Sequence, residues 1–206
     1  MSGGEPSIAQ IAALVNDQCD GNVVAFHFAA NHEARTQALE GILEYSYDGL
    51  VQNRHLNQKH SEDALSVQVI EYLKAFNIQA SHDTQTGGHC DIHIVGKDHF
   101  LWIGEAKIHK DYGWLESGFI QLSTRYATGS YGQNRGEIII YCRNKDAAGT
   151  LEFWKERLLE LHPEVELTDD LISSRLFFRS KHKCETSGTD FYTRHRILNL
   201  YWAGAA

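Results

Sequence analysis

Apolar residues recur at helical spacing in several parts of the chain. The clearest case begins at Ser61, a good N-cap residue, behind which Leu65, Val69 and Leu73 repeat every four residues. Another helix is expected to end just before Pro163, because the residue before a proline disfavours helical backbone. The helices predicted in this way cover residues 7–18, 32–52, 61–76, 114–127 and 147–161.

Shorter segments have the alternating or continuous apolar pattern of strands. The tripeptide Gly96-Lys97-Asp98 supplies a turn between two of them. Strands and helices follow one another in an order that predicts a mixed β-sheet with helices packed on its faces, an α/β fold. The expected strands cover residues 79–85, 90–95, 100–108, 137–142, 175–180 and 191–202.

Length and composition fit one compact domain with room for a helical extension. The chain has 206 residues, of which 42% are hydrophobic. We expect a helical extension over residues 1–58 and the main domain over residues 59–206. The apolar runs are too short to cross a bilayer and the polar N-terminus does not resemble a signal peptide, so a cytoplasmic location is expected.

The four cysteines are widely spaced and form no CxxC pair, which argues against a zinc ribbon or a disulfide framework. Buried, reduced thiols are the expected state of all of them. They are Cys19, Cys90, Cys142 and Cys184.

Charge is unevenly distributed along an acidic chain. The net charge is −8, yet residues 173–206 alone carry +4 and leave −12 for the rest. A polyanion is therefore expected to meet the C-terminal segment. The alternative is that its basic residues form the solvated face of an edge strand. Because the surface is otherwise acidic, a homodimer that brings the basic segments together around one substrate is predicted. The candidate nucleic-acid contacts are Arg175, Arg179, Lys181 and Lys183.

The residues with the strongest chemical pattern lie in the two strands that flank the Gly96-Lys97-Asp98 turn. Side chains two apart share a face of a strand, so Glu105 and Lys107 point together. Asp91 in the preceding strand can converge with Glu105 if the two residues lie opposite each other. That register requires Gly96 to pair with Phe100 across a three-residue connection, because a two-residue turn would separate the acids.

Two carboxylates and a lysine suit hydrolysis of a phosphodiester. Hard oxygen ligands hold Mg²⁺ or Mn²⁺, which neutralises charge developing on the phosphate and lowers the pKa of a bound water. Lys107 beside such an ion can orient the water, help deprotonate it or stabilise the pentavalent phosphorus. The pattern leaves these roles open.

Asp91, a strand and turn, and then Glu105-Ala106-Lys107 resemble the PD-(D/E)XK nuclease superfamily, also called restriction-endonuclease-like. The resemblance covers about residues 61–142, although Cys90 stands where the motif has proline. It implies a restriction-endonuclease-like fold over the main domain. It also implies a metal site formed by Asp91, Glu105 and the carbonyl of Ala106.

Further site residues follow from the same resemblance. The first helix of the superfamily often contributes an acid near its start, here Glu62 or the less favoured Asp63. Relatives that resemble the RecB nuclease domain place Gln and Tyr four apart on the helix after the lysine strand. Gln121 fits that position, but Tyr126 is five residues away, so Gln121 is expected to pair with Arg125 on one helical face. Arg125 is a further candidate nucleic-acid contact, through a phosphate.

The function implied is that of a Mg²⁺- or Mn²⁺-dependent deoxyribonuclease, with endonucleolytic cleavage favoured and RNA left open as a substrate. Members of the superfamily act in restriction, phage defence and DNA repair. One alternative is a catalytically silent subunit or sensor of the same fold that binds nucleic acid.

A second alternative is a zinc enzyme. His89 and His93 alternate with Asp91, and His109 continues the face of Glu105, so these groups could bind a transition metal. Aromatic residues after the lysine strand also have two interpretations. Tyr112 and Trp114 could stack on bases, but packing in the core is the favoured interpretation.

Overall fold

The computed structural model describes residue 7 and residues 18–82, 84–85 and 89–204. For residues 18, 84, 85, 89, 125 and 126 the description covers the backbone only. The helix predicted over residues 7–18 therefore lies almost entirely outside the described residues.

Helices and strands alternate along the described part of the chain. The helices are α1 (Gln18–His27), α2 (His32–Gln52), α3 (Glu62–Ala75), α4 (Tyr112–Ile120), α5 (Ala147–Leu161) and α6 (Ile172–Arg175), with a 3-10 turn at Asn57–Lys59 and a π-helical segment at Gln121–Tyr126. The strands are β1 (Gln79–Ser81), β2 (Thr84–Gln85), β3 (His89–Cys90), β4 (Ile92–Val95), β5 (Leu101–Ile108), β6 (Arg135–Cys142), β7 (Glu166–Asp170), β8 (Phe177–Lys183) and β9 (Asp190–Asn199).

Seven of the strands form one mixed sheet in the order β1-β4-β5-β6-β9-β8-β7. The central strands β5, β6 and β9 are parallel, whereas the pairs at both sides are antiparallel. Strands β2 and β3 pair separately. The predicted α/β fold with a mixed sheet is confirmed. Strand β7 was not predicted, because its sequence Glu-Leu-Thr-Asp-Asp is mostly exposed and lacks apolar alternation.

The sheet buries a hydrophobic cluster on each face. Trp102 and Ala106 of β5 belong to the cluster under α2 and α3, whereas Leu101 and Ile103 belong to the cluster under α4 and α5. Helix α2 is part of the first cluster, and Tyr47 on it donates a hydrogen bond to the buried Glu137 of β6 at 3.0 Å. The predicted alternation of β5 thus places its odd-numbered residues toward α4.

The hairpin of β4 and β5 has the register that the converging acids require. Ile92 pairs with Gly104, and the Gly96 N–H donates to the Phe100 carbonyl at 3.0 Å, so the three-residue connection is confirmed. Asp98 and His99 within it adopt φ of 60° and 62°, a left-handed conformation that is uncommon for residues with a side chain. Helix α2 supports this connection, since Arg35 Nη1 donates to the Lys97 carbonyl at 3.0 Å.

All four cysteines are buried and none forms a disulfide, as predicted. Within the described residues, no helix has the length and apolar content needed to cross a membrane. The N-cap predicted at Ser61 is also confirmed, because its side chain accepts a hydrogen bond from the Ala64 N–H at 3.1 Å.

Candidate active site

Asp91, Glu105 and Lys107 lie on the same face of the sheet. Asp91 occupies the bend between β3 and β4, opposite Glu105 in the continued register of the hairpin. Its Oδ2 accepts a hydrogen bond from the Ala106 N–H at 2.7 Å, which fixes the carboxylate against β5. Helix α4 covers this face closely at Gly118. A Cβ there would lie 3.0 Å from Lys107 Cγ and 3.5 Å from Glu105 Cγ.

Glu105 and Lys107 form a buried ion pair. Lys107 Nζ donates to Glu105 Oε1 at 2.6 Å, and Lys107 is 5% exposed and Glu105 3% exposed. The other carboxylate oxygen, Glu105 Oε2, is buried and has no hydrogen-bond partner among the described residues. Burial and the neighbouring Asp91 carboxylate raise the pKa of Glu105 to about 7. This oxygen therefore has unused capacity to accept a donor or bind a cation.

Charges around the ion pair shift the other groups too. Burial lowers the pKa of Lys107, but the carboxylates of Glu105 and Glu62 outweigh it, so that its pKa is raised and the ammonium form is stabilised. Burial raises the pKa of Asp91, and the hydrogen bond from Ala106 and the charge of Lys107 offset only part of that effect.

Glu62, the predicted accessory acid, contacts the end of β5. Its Oε2 accepts a hydrogen bond from the Ile108 N–H at 2.6 Å, and its Oε1 lies 3.8 Å from Lys107 Nζ. The position near the N-terminus of α3 is as predicted. These contacts hold the strand end and Lys107, and among the described residues Glu62 is not one of the acids grouped closely around Asp91.

The donor set of this site fits a divalent cation. Asp91 and Glu105 supply hard carboxylate oxygens, and the Glu105 oxygen without a partner is the one that the Lys107 ion pair does not use. Ala106, whose carbonyl was the third predicted ligand, lies between Glu105 and Lys107 in β5 and donates its N–H to Asp91.

A further group of ligand-type side chains adjoins Asp91. Asp63, His82 and Asp91 each offer one ligand atom within 4.8 Å of the others. Asp63 was predicted only as a lesser alternative to Glu62, and His82 was not predicted as a site residue. No local sequence pattern indicates His82, because His82 approaches Asp91 only through the pairing of β1 with β4.

The histidines of the alternative zinc site do not form this group. His109 Nδ1 is hydrogen-bonded to Asn144 at 3.0 Å and its ring packs against Tyr112. His93 is not among the described side chains that cluster with Asp91 as ligands. The side chain of His89 lies outside the described residues.

The helix after the lysine strand changes character at the predicted glutamine. Helix α4 ends at Ile120 and continues as the π-helical segment that starts at Gln121. Gln121 Oε1 is buried without a hydrogen-bond partner in the described part of the chain. Because a π-helix bonds residues five apart, Tyr126 as well as Arg125 returns toward the side of Gln121 along the backbone. The side chains of Arg125 and Tyr126 lie outside the described residues.

The basic residues of β8 that were predicted to contact nucleic acid do not lie on the sheet face of Glu105 and Lys107. Ser180 and His182 of β8 lie on the α4 side, where Ser180 bonds His195 and the His182 ring contacts Phe119. Alternation therefore places the basic residues of β8 on the opposite face, and β8 lies three strand positions from β5, on the order of 14 Å away. These residues are Arg179, Lys181 and Lys183.

Their charges are also largely paired. Lys181 pairs with Glu166 and Lys183 with Asp190, while Arg179 bonds both Glu40 and Asp169. Arg175 and Arg179 line a cavity of about 720 Å³ on the α2 side, together with the acids Glu40, Glu44 and Asp48. Within one chain these four residues therefore lie away from Asp91, Glu105 and Lys107, and their contact with nucleic acid stays a prediction.

Trp114 is exposed beside the site, contrary to the expected packing in the core. Its side chain is 37% exposed, and its ring centroid lies 5.1 Å from Lys107 Nζ and 4.9 Å from Lys110 Nζ. Tyr112 is partly buried and stacks against Phe153 at a centroid distance of 4.5 Å. At this edge a partly exposed aromatic ring thus lies against two positive charges.

Comparison with models of known protein families, with curated proteins and with solved structures finds no match for this chain.

Proposed function

We propose that the protein is a divalent-metal-dependent nuclease of the PD-(D/E)XK type, with a restriction-endonuclease-like fold, that hydrolyses phosphodiester bonds of DNA. One observation carries the proposal. Glu105 directs one carboxylate oxygen to Lys107, and its other oxygen is buried with no hydrogen-bond partner among the described residues, on the face shared with Asp91. A purely structural ion pair has no need of a second acid at this place or of an unsatisfied oxygen, which costs about 1–3 kcal/mol.

The residues divide the chemistry among them. A cation held by Asp91, Glu105 and the Ala106 carbonyl supplies charge neutralisation at the phosphate and a more acidic water. Lys107 is kept as an ammonium ion by Glu105 and donates hydrogen bonds to phosphate oxygens as negative charge develops. This geometry favours Lys107 as stabiliser over general base. Glu62 is a positioning residue, because it acts through Lys107 and the end of β5.

The surroundings support nucleic acid as substrate. Trp114 is partly exposed beside Lys107 and Lys110, and an aromatic ring next to positive charge suits contact with a base close to its phosphate. Endonucleolytic cleavage and a role in restriction, phage defence or repair remain predictions from the family resemblance. A homodimer or larger assembly remains a prediction from the distribution of charge along the chain.

The test is cleavage of plasmid DNA in Mg²⁺ or Mn²⁺ by the wild-type protein and by Lys107→Ala. We expect cleavage in both metals, none in a chelator, and a loss of at least 100-fold in the variant. The matched control is Lys74→Ala, since Lys74 forms an exposed pair with Glu71 on α3. Binding of DNA without cleavage would instead support the silent subunit.

A further inference from the structure

The group next to the proposed active site joins three separate elements. Asp63 lies in the first turn of α3, and His82 directly follows β1. Pairing of Ser81 with His93 aligns the end of β1 with the start of β4, which Asp91 precedes. One ligand atom from each of Asp63, His82 and Asp91 falls within 4.8 Å of the other two.

The second indication of a ligand is the imidazole of His82. Its Nε2 is shielded from solvent and has no hydrogen-bond partner among the described residues. The nearby Asp63 Oδ1 lies 3.9 Å away, too far for a hydrogen bond. Two atoms bound to the same zinc-like ion, at about 2.0–2.2 Å each, lie about 3–4 Å apart. The separation is therefore too long for direct bonding and suits two ligands of one ion.

Electrostatics at this end of the sheet favour a second cation. Glu62, Asp91 and Glu105 act on one ammonium group, that of Lys107, and Asp63 lies beside Asp91. Among the described residues, Asp63 is paired only with the imidazole of His82. When all are ionised, four carboxylates and one ammonium group leave more negative charge than one divalent ion neutralises.

We propose that Asp63, His82 and Asp91 form a second cation site that takes a transition-metal ion of the Mn²⁺ or Zn²⁺ class in preference to Mg²⁺. An imidazole nitrogen selects such ions, whereas the all-oxygen set of Asp91, Glu105 and Ala106 accepts Mg²⁺. Asp91 belongs to both sets, so the two ions are neighbours. A role for the second ion in catalysis rests on the proposed nuclease function, but its binding does not.

The test is the stoichiometry of Mn²⁺ binding, measured by equilibrium dialysis of the full chain with and without a 100-fold excess of Mg²⁺. We expect two Mn²⁺ per wild-type chain, of which Mg²⁺ displaces one. His82→Ala is expected to bind one Mn²⁺ and to keep none against Mg²⁺. Asp63→Asn changes a side chain that is 74% exposed, and it is expected to lower the affinity for the retained Mn²⁺ at least tenfold.

Two variants separate this inference from the proposed function. If the nuclease site and the His82 site both bind a cation, Glu105→Ala loses only the ion that Mg²⁺ displaces. If only the His82 site binds one, Glu105→Ala binds Mn²⁺ like the wild type. His93→Ala, the matched histidine control on the neighbouring strand, is expected to bind like the wild type. The inference is overturned if the wild type keeps no Mn²⁺ against Mg²⁺, or if His82→Ala and Asp63→Asn both bind like the wild type. Circular dichroism confirms that each variant is folded.

Discussion

Replacement of Gly118 by alanine tests how closely α4 controls the catalytic pair. A Cβ at this position would lie 3.0 Å from Lys107 Cγ and 3.1 Å from Lys107 Cε. Because carbon atoms prefer a separation of about 3.5–4.0 Å, the lysine side chain must move by roughly 0.5 Å or more. That movement loosens the 2.6 Å bond between Lys107 Nζ and Glu105.

We expect Gly118→Ala to fold and to lose activity. Alanine gains about 0.5–1 kcal/mol over glycine in a helix, and the flexible lysine absorbs the contact, so stability should change by less than about 1 kcal/mol. A misplacement of about 1 Å can cost 100-fold in rate, so a smaller shift predicts a loss of about 10- to 100-fold.

The assay is the initial rate of cleavage in Mn²⁺, with urea denaturation of each variant for stability. Gly113→Ala is the matched control in the same helix, because a Cβ there meets only Asp111 Oδ1 at 3.3 Å. Equal rates for the two variants and the wild type would refute the idea that α4 positions Lys107.

Three further predictions concern the core and the aromatic surface. Burial lowers the pKa of His182 to about 4, so the folded protein binds fewer protons than the unfolded chain from pH 6.5 down to pH 4 and loses stability as the pH falls. The unfolding free energy of the wild type should fall between pH 7 and pH 5, and His182→Phe should reduce that fall by roughly 2 kcal/mol in urea denaturation. A pH dependence equal to that of the wild type would contradict burial of His182 as the neutral imidazole. Arg194→Met leaves the fully buried Glu137 without its cation and should cost about 3–5 kcal/mol in unfolding free energy, most of which the added change Glu137→Met should restore. A single variant as stable as wild type would show that the pair is not needed. Trp114→Ala should weaken binding of single-stranded DNA about tenfold in a fluorescence-anisotropy titration, and unchanged affinity would argue against stacking.

Sequence periodicity predicted the elements whose stability comes from their own pattern. Helices over residues 32–52 and 147–161 match α2 and α5, because each has an apolar stripe and a clear boundary. The hairpin register was also predictable. Once Asp91 and Glu105 are required on one face, the period of two in a strand fixes the length of the connection at three residues.

Features that depend on pairing between distant segments could not be predicted. Strand β7 forms because β8 provides its hydrogen-bond partners, and its own residues are mostly exposed. The face of β8 was ambiguous because Phe177 and Phe178 are adjacent and both buried, which hides the alternation. His82 joins Asp91 only through the pairing of β1 with β4, so its position among the acids became visible only in the folded chain.

If Glu105 is a charged ligand in a hydrolytic site, as proposed, Glu105→Gln should abolish most of the activity, because the change removes the charge and keeps the shape. We would measure cleavage of end-labelled DNA by the wild type and this variant under single-turnover conditions with Mg²⁺ or Mn²⁺. We expect metal-dependent cleavage by the wild type and a loss of at least 100-fold in the variant. Cleavage that persists in a chelator, or a variant that cuts as fast as the wild type, would contradict it.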